Sequence, residues 1–195
     1  MAGLGLLLTA AAADAQEPDS LVFALAPASR LEVRTGRAGL LGGLGHEHLV
    51  RARAFRGGIV YFPAAPERSS VTITVLTDSL EILTQAKPSD LAKMTRAMRE
   101  QTLKVRDYPE TRFVSREVTP IEGGVRVAGD FTLAGQTRPL TVEVTLDFRG
   151  DTLHASTRFA LKQTDFGMRP YSTALGTVKV ADAVRFELEV LAVRQ

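Results

Sequence analysis

The amino-acid sequence predicts a single all-β domain, and three observations lead to that prediction. Apolar and polar residues alternate over most of the chain, which is the period of a strand with one buried face. Turn-forming Pro, Gly and Asp residues recur between the alternating stretches. The length of 195 residues suits one domain. About eight or more antiparallel strands would form a closed barrel or a sandwich, and the length of the strands favours the barrel.

The N-terminus has features of a secretory leader. Leu4–Ala13 is mostly apolar, and it has the length of a signal-peptide core but is too short to span a bilayer. Ala13 and Ala15 are small residues at the positions that a signal peptidase reads, although no Lys or Arg precedes the apolar run. We therefore expect a cleaved signal peptide over residues 1–15, a single domain over residues 16–195, and export to the periplasm. A disordered Ala-rich leader and a start upstream of Met1 are the alternatives.

The alternation is clearest in the second half of the chain. Residues 138–149 and 152–163 are predicted as two long strands, joined by a tight hairpin at Arg149-Gly150-Asp151. Shorter alternating runs lie at residues 71–75, 125–133 and 184–190. A barrel of about eight strands has an interior just wide enough for packed side chains or one slender ligand. Periodicity does not distinguish a filled barrel from a hollow one.

One segment has helical periodicity instead. The apolar residues between Ser89 and Val105 recur near helical spacing, and Ser89 or Asp90 can cap the N-terminus. The sequence therefore predicts one inserted helix over about residues 89–105. This helix is basic, with Lys93, Arg96 and Arg99. It is interpreted either as a solvated amphipathic lid or as a surface that contacts anionic lipid or a phosphate head group.

The sharpest polar motif is Gly45-His46-Glu47-His48. In an extended strand, His46 and His48 would face the same side about 6.5–7 Å apart. Two imidazoles at that separation could bind one transition metal if Asp or Glu completed the site. In the alternative interpretation both histidines lie at a barrel mouth, solvated, bonded to backbone or contacting a ligand head group. The remaining histidine, His154, is predicted to face outward.

Composition and motifs exclude several functional classes. The absence of Cys excludes disulfides and thiolate chemistry. The chain has no Walker loop, no Gly-x-Ser-x-Gly and no His-Glu-x-x-His, and we expect no enzymatic activity and no catalytic residues. A net charge of +2, three Tyr and no Trp argue against nucleic-acid binding. No apolar run reaches the roughly 18 residues of a membrane-spanning helix.

Three segments resemble the YceI-like family. Gly129–Leu140 is similar to its strand–turn–strand signature, with Gly-Asp, an apolar-Thr-apolar strand and then Gly-x-Thr-Arg-Pro-apolar. Tyr108–Ser115 resembles its Tyr-Pro-x-x-x-Phe-x-Ser segment. Phe166-Gly167, followed by Val178–Val184 with Asp182, is similar to its C-terminal stretch. Shorter matches occur around Phe55 and at Ser79-Leu80, so the resemblance covers about residues 20 to 193.

The resemblance implies an extended, lipocalin-like antiparallel barrel in the periplasm. It further implies an apolar tunnel for a long isoprenoid chain, such as a polyprenyl phosphate or a quinone, and no catalytic activity. Together with the alternation, it predicts a cavity lined by inward-facing side chains: Phe131, Leu133, Val142, Val144, Leu146, Phe148, Phe159, Leu161, Phe186 and Leu188. The candidates for contact with the head group are His46, His48, Arg96 and Arg99.

The expected function is therefore a periplasmic isoprenoid carrier with a small lipid as its partner. No cofactor is expected apart from a bound isoprenoid lipid or quinone, and the basic helix is a candidate for peripheral membrane contact. The oligomeric state is not decided, with a homodimer as one option. Two alternatives remain open. One is a metal-binding protein or metal-dependent activity at His46 and His48, and the other is a ligandless, stress-related interaction module with a filled barrel.

Overall fold

The computed structural model describes residues 20–38, 47–173 and 178–195. In chain order the strands and the helix are β1 (Leu21–Leu25), β2 (Arg30–Ala38), β3 (His48–Ala52), β4 (Phe55–Tyr61), β5 (Ser70–Leu76), β6 (Leu80–Ile82), α1 (Pro88–Ala97), β7 (Glu110–Ile121), β8 (Gly124–Leu133), β9 (Gln136–Arg149), β10 (Thr152–Lys162), β11 (Ser172–Thr173) and β12 (Val178–Arg194). Short 3-10 turns cover Pro66–Arg68, Thr77–Ser79 and Gln163–Phe166.

The strands close into an antiparallel barrel, which confirms the predicted fold class. The hydrogen-bonded order is β1-β4-β5-β7-β8-β9-β10-β12, and β12 pairs back with β1, so eight strands form a ring. β12 can close the ring because it is 17 residues long. Its C-terminal part pairs with β1, and the preceding part pairs with β2. A barrel rather than a sandwich is therefore formed.

The first six strands are the halves of three longer strands, each broken once. β1 and β2 are separated by residues 26–29, β3 and β4 by residues 53–54, and β5 and β6 by the 3-10 turn at Thr77–Ser79. The halves that do not belong to the ring, β2, β3 and β6, continue the wall beyond β12 in that order. β6 ends this path, and the chain that follows it forms the helix.

The predicted helix is shorter than expected and begins differently. α1 covers Pro88–Ala97 and continues as one π-helical turn over Met98–Thr102. Lys87 occupies the N-cap position without a side-chain cap, so the prediction that Ser89 or Asp90 caps the helix is wrong. Pro88 accounts for the start, because a first-turn proline has the right φ and lacks an N–H that would have no partner.

Buried side chains fill both ends of the barrel. At the end near the β9–β10 turn, Phe23, Leu153 and Ala192 are almost completely buried. At the other end, which we call the helix end, Leu103 packs with Phe131 and Leu133 of β8. Leu80 of β6 and Met98 of the π-helical turn join this second cluster. The segment after α1 therefore fills the space between β6 and β8.

Candidate ligand cavity

The barrel encloses a cavity of about 280 Å³. Its wall is formed by inward-facing side chains of β2 to β10 and β12, together with Met98, Thr102 and Leu103 from the segment that follows α1. Most of these side chains are Val, Ile, Leu and Phe. The alternation of the strands is the cause, because every second residue of a barrel strand points inward. β8 illustrates this, since Val125, Val127 and Phe131 are buried and line the cavity.

Most of the side chains predicted for the cavity lie on its wall. These residues are Phe131, Leu133, Val142, Val144, Leu146, Phe159, Phe186 and Leu188. The structure establishes their position only. Their contact with a ligand stays a prediction.

Two predicted cavity residues, Phe148 and Leu161, lie elsewhere. The Phe148 side chain is 40% exposed, and its ring centre is 4.7 Å from that of Tyr61. The prediction for Phe148 fails because β8 pairs with β9 only as far as Thr145, so Phe148 projects beyond the end of the neighbouring strand. Leu161 packs against the buried cluster at the helix end instead of lining the cavity.

Four phenylalanine rings form a cluster at the helix end, which we call the four-ring cluster: Phe131, Phe159, Phe166 and Phe186. Phe159 and Phe186 are directly opposite in the β10–β12 register, and their rings stack with centres 4.8 Å apart and an interplanar angle of 5°. Phe131 meets Phe186 edge-on at 5.8 Å and Phe166 edge-on at 5.6 Å. The cluster thus ties β8, β10 and β12 together, and all its rings except that of Phe166 line the cavity.

Many wall residues were not predicted, and they come from both halves of the chain. The main ones are Leu31, Val50, Ala52, Ile59, Ile73, Val75, Val125 and Val127. The alternation at residues 71–75 and 125–133 carried a usable signal for the last four of these. For Met98 and Leu103 no such signal exists, because helical spacing does not show that the segment enters a barrel wall.

Side-chain hydrogen bonds attach the 3-10 turn after β10 to β12. Gln163 is buried, lines the cavity and donates a hydrogen bond from Nε2 to the Ala181 carbonyl oxygen at 2.9 Å. Asp182 accepts hydrogen bonds from the backbone N–H of Thr164 at 2.9 Å and from its hydroxyl at 2.7 Å. These two bonds, the hydroxyl first, lower the pKa of Asp182. These bonds hold the 3-10 turn against the part of β12 where its register with β2 shifts, between Val180 and Val184.

The described head-group candidates lie on two segments, His48 on β3 and Arg96 and Arg99 on α1 and the π-helical turn that follows it. His48 lies on β3, with Nδ1 3.3 Å from the Thr84 hydroxyl oxygen, whereas His46 lies outside the described residues. Arg99 donates a hydrogen bond to the Asp78 carbonyl oxygen at 2.7 Å, and its Nε is 3.3 Å from the Asp78 carboxylate. Arg96 is exposed on α1. Their role in ligand binding stays a prediction.

Neither a metal site nor a membrane-spanning helix is found in the described chain. Across residues 20–38, 47–173 and 178–195, no three His, Asp or Glu side chains converge as metal ligands would. The metal hypothesis depends on His46, which is outside these residues, so it stays untested. Within the same ranges, no helix has both the length and the apolar composition needed to cross a bilayer.

An eight-stranded antiparallel barrel around an apolar cavity defines a class of proteins that can enclose one slender apolar ligand. The sequence model of the YceI-like domain matches residues 35–192, and the chain therefore belongs to the YceI-like family. A UPF0312 protein of Pseudomonas putida (strain W619) is 30% identical over 122 residues, which cover 59% of this chain and 60% of that relative. The alignment spans less than two thirds of the relative's length.

Solved structures share this fold at low sequence identity. Burkholderia cenocepacia BcnA has a TM-score of 0.68 and 19% identity, and the match covers 86% of this chain and 98% of that one. A polyisoprenoid binding domain from Saccharophagus degradans has a TM-score of 0.65 and 11% identity, covering 89% of this chain and 98% of that one. The Campylobacter jejuni YceI protein has a TM-score of 0.59 and 14% identity, covering 75% and 84%. At these identities the likeness concerns the fold alone.

Proposed function

We propose that this protein binds and carries an isoprenoid lipid, whose tail lies in the barrel cavity. The observation that carries the proposal is the apolar cavity of about 280 Å³, which runs between the buried clusters of the barrel. An isoprenoid tail offers apolar surface and no hydrogen-bonding groups, as this wall requires. The Saccharophagus degradans domain of the same fold is described as polyisoprenoid binding, which supports the same class of ligand.

Burial of the tail would supply most of the affinity. Each buried CH₂ contributes about 0.8 kcal/mol, so one five-carbon unit contributes several kcal/mol before the cost of ordering the chain. The described residues of the cavity wall present apolar binding surface, and Glu32 is the one ionisable side chain among them apart from Tyr61. We accordingly propose a carrier without catalytic activity.

The carrier role also requires a compartment and a route to the lipid. We propose that residues 1–15 direct export to the periplasm and are removed there, as the apolar run and Ala13-Asp14-Ala15 suggest. α1 and its flanks would contact anionic lipid head groups through exposed basic side chains, which are Lys87, Lys93, Arg96, Lys104 and Arg106. Mass measurement of the protein recovered from the periplasmic fraction tests the cleavage, which would leave Gln16 as the first residue.

Native mass spectrometry of the untagged, freshly purified protein tests the ligand directly when it is paired with analysis of the organic extract. A stoichiometric adduct that releases a polyprenyl or quinone species is expected. Bound zinc or copper without lipid would contradict the proposal and favour the histidine motif. A bare protein mass, confirmed at the gentlest ionisation, would favour a ligandless module.

Two variants on neighbouring residues of β9 then locate the ligand. Leu146 lines the cavity, whereas Thr145 is exposed on the outer face of the same strand. Leu146→Glu places a carboxylate inside the barrel and should abolish the lipid adduct, whereas Thr145→Glu should leave it unchanged. Ala155→Leu, which fills part of the same cavity without a charge, serves if Leu146→Glu does not fold. Full lipid content in a folded Ala155→Leu or Leu146→Glu protein would place the ligand outside the barrel.

A further inference from the structure

Between β6 and β8 the cavity wall is made of chain that belongs to no strand. β6 ends the path of paired strands in the described chain, and β7 begins only at Glu110, beside the end of β5. Met98, Thr102 and Leu103 occupy this position and line the cavity. We call residues 98–105 the panel, because they close the wall where a strand would otherwise lie.

The π-helical turn brings two side chains of the panel to the same side. The Leu103 N–H donates to the Met98 carbonyl oxygen at 2.9 Å, which is a bond across five residues. In an α-helix, residues five apart point about 140° away from each other, because each residue turns by about 100°. The wider π-helical turn returns the fifth residue to nearly the same side. This explains why Met98 and Leu103 both line the cavity.

Few polar contacts attach the panel to the barrel. Within the described chain, Arg99 makes the one polar link between residues 85–108 and the rest of the protein. Its guanidinium donates to the Asp78 carbonyl oxygen at 2.7 Å, and its Nε lies 3.3 Å from the Asp78 carboxylate without a hydrogen bond to any described residue. A strand such as β8 is instead paired along both edges. The panel therefore opens at a lower cost in free energy than the strands around it.

Both ends of the segment that carries the panel are fixed to the barrel. Before it, the Leu83 N–H donates to the Leu49 carbonyl oxygen at 2.8 Å. After it, the Tyr108 ring lies over Gly135, where a Cβ would be 2.3 Å from the ring. Between the panel and Tyr108, Lys104 has a φ of 49°, which is the left-handed backbone that turns a chain away from a helix end. The segment can thus swing outward while the strands of the barrel stay paired.

We propose that the panel is a gate, through which an isoprenoid lipid enters and leaves the barrel sideways between β6 and β8, and that the Arg99–Asp78 contact is its latch. The inference rests on the proposed isoprenoid-binding function. Opening of the panel uncovers the cavity between Leu80 and Leu133, which both line it. A long tail then need not be threaded through an end of the barrel. α1 directly precedes the panel, so the lipid contact proposed for α1 would bring the gate to the membrane surface.

Exchange rates of a lipid probe test the latch. Uptake and release of tritiated geranylgeraniol, an uncharged prenyl alcohol, are measured on the purified full-length protein after its lipid is stripped. Arg99→Gln should raise both rates together by about threefold to tenfold, with less than about a twofold change in affinity, because the closed panel loses its polar link. Asp78→Asn should act in the same direction, since it weakens the same contact from the other partner.

A matched variant controls for the loss of a surface ion pair. Arg126→Gln breaks the pair with Glu143, at 2.7 Å on the outside of β8 and β9, and should change neither rate. Faster release of the probe without faster uptake in Arg99→Gln would mean that Arg99 only stabilises bound lipid, which would overturn the latch. Equal effects of Arg99→Gln and Arg126→Gln would overturn it as well.

A reversible cross-link tests the route. The chain has no Cys, so Asp78→Cys combined with Arg99→Cys can be joined specifically by a cleavable bismaleimide. The joined protein should exchange the probe at least about tenfold more slowly, because exchange then requires paired strands to separate. Cleavage of the linker should restore the rate. Arg126→Cys combined with Glu143→Cys, joined in the same way, should exchange the probe at the rate of the unlinked protein. Undiminished exchange in the joined Asp78 and Arg99 pair would overturn the gate.

Hydrogen exchange of the lipid-free protein separates failure of the gate from failure of the proposed function. The Leu103 and Val105 N–H groups are bonded within the panel, to the Met98 and Arg99 carbonyl oxygens. A single turn that has left the wall does not hold such bonds in water, so both groups should exchange faster than the Val127 N–H of β8. Arg99→Gln should accelerate the exchange of the panel only. Equal protection of panel and β8 would overturn the gate whether or not lipid binds, whereas an opening panel in a protein that binds no prenyl alcohol would overturn the proposed function.

Discussion

The two sides of the barrel differ in how their strands are built. β7 to β10 form a continuous side, with four strands of 10 to 14 residues joined by short hairpins. β1 to β6 form a segmented side, in which three long strands are each broken once. β12 joins the two sides, because it pairs with β10 on one edge and with β1 and β2 on the other. The comparison shows that one closed cavity can be built both from unbroken strands and from strands whose breaks are bridged by side-chain hydrogen bonds.

The largest expected effect tests whether the tightest packing lies on the continuous side. Leu153 of β10 is 1% exposed and packs in the cluster with Phe23 and Ala192. Leu153→Ala should lower the free energy of unfolding by about 3–5 kcal/mol, since the cavity left behind cannot collapse in a dense cluster. Leu80→Ala, on β6 of the segmented side, should cost clearly less because Leu80 is only partly buried. Urea unfolding measures both, and equal losses would remove this difference between the sides.

A second pair of variants tests the contact between Tyr108, just before β7, and the β8–β9 hairpin of the continuous side. Gly135, in the β8–β9 hairpin, has a φ of +75°, and a Cβ there would lie 2.3 Å from the Tyr108 ring. Gly123, in the β7–β8 hairpin, has a φ of +73° with nothing within 4 Å. Gly123→Ala should therefore cost only the left-handed strain of about 1 kcal/mol, whereas Gly135→Ala should cost about 2–4 kcal/mol. Equal urea midpoints for the two variants would show that the Tyr108 ring moves aside at little cost in stability.

The continuous side is also the part that the sequence pattern predicted best. Alternation is a local property, so it correctly placed residues such as Val142 and Phe159 on the inner face. It could not show where a neighbouring strand ends, which is why Phe148 was assigned to the cavity although β8 begins at Gly124 and leaves it uncovered. Most of the residues predicted for the wall do lie on it. The exceptions, Phe148 and Leu161, lie near the ends of their strands.

The segmented side was less predictable because its breaks depend on contacts that are distant in sequence. The Ser29 hydroxyl oxygen accepts a hydrogen bond from the Leu191 N–H at 3.0 Å, across most of the chain. The Ser79 hydroxyl oxygen accepts from the Ala54 N–H at 2.9 Å and lies 2.7 Å from the Leu76 carbonyl oxygen, to which it donates. Each serine supplies the partner that a strand break removes from the ladder. A single serine in a sequence gives no sign of this role.

These two serines give the third prediction, of intermediate size. Ser29→Ala and Ser79→Ala should each lower the free energy of unfolding by about 1–3 kcal/mol, because a backbone N–H is left without its partner. Ser156→Ala, on the exposed face of β10, should change it by less than about 0.5 kcal/mol. Urea unfolding of the three variants measures these changes in the free energy of unfolding. If Ser29→Ala and Ser156→Ala behave alike, the strand breaks do not need the hydroxyl groups.

The smallest expected effect concerns the junction at β12 and depends on pH. Thr164 donates two hydrogen bonds to Asp182, and these hold the pKa of its carboxyl below the ordinary value of 3.8. A carboxyl with a lower pKa in the folded state stabilises the protein fully above pH 3.8, and this stabilisation is lost as the pH falls through the folded pKa. Asp182→Asn should therefore reduce the acid sensitivity of the urea midpoint below pH 4. The result also bears on the cavity wall, because the same turn carries Gln163, which bonds to β12. If Asp182→Asn leaves the acid dependence unchanged while the midpoint at neutral pH falls, the bonds from Thr164 hold the bulge of β12 by geometry rather than by charge.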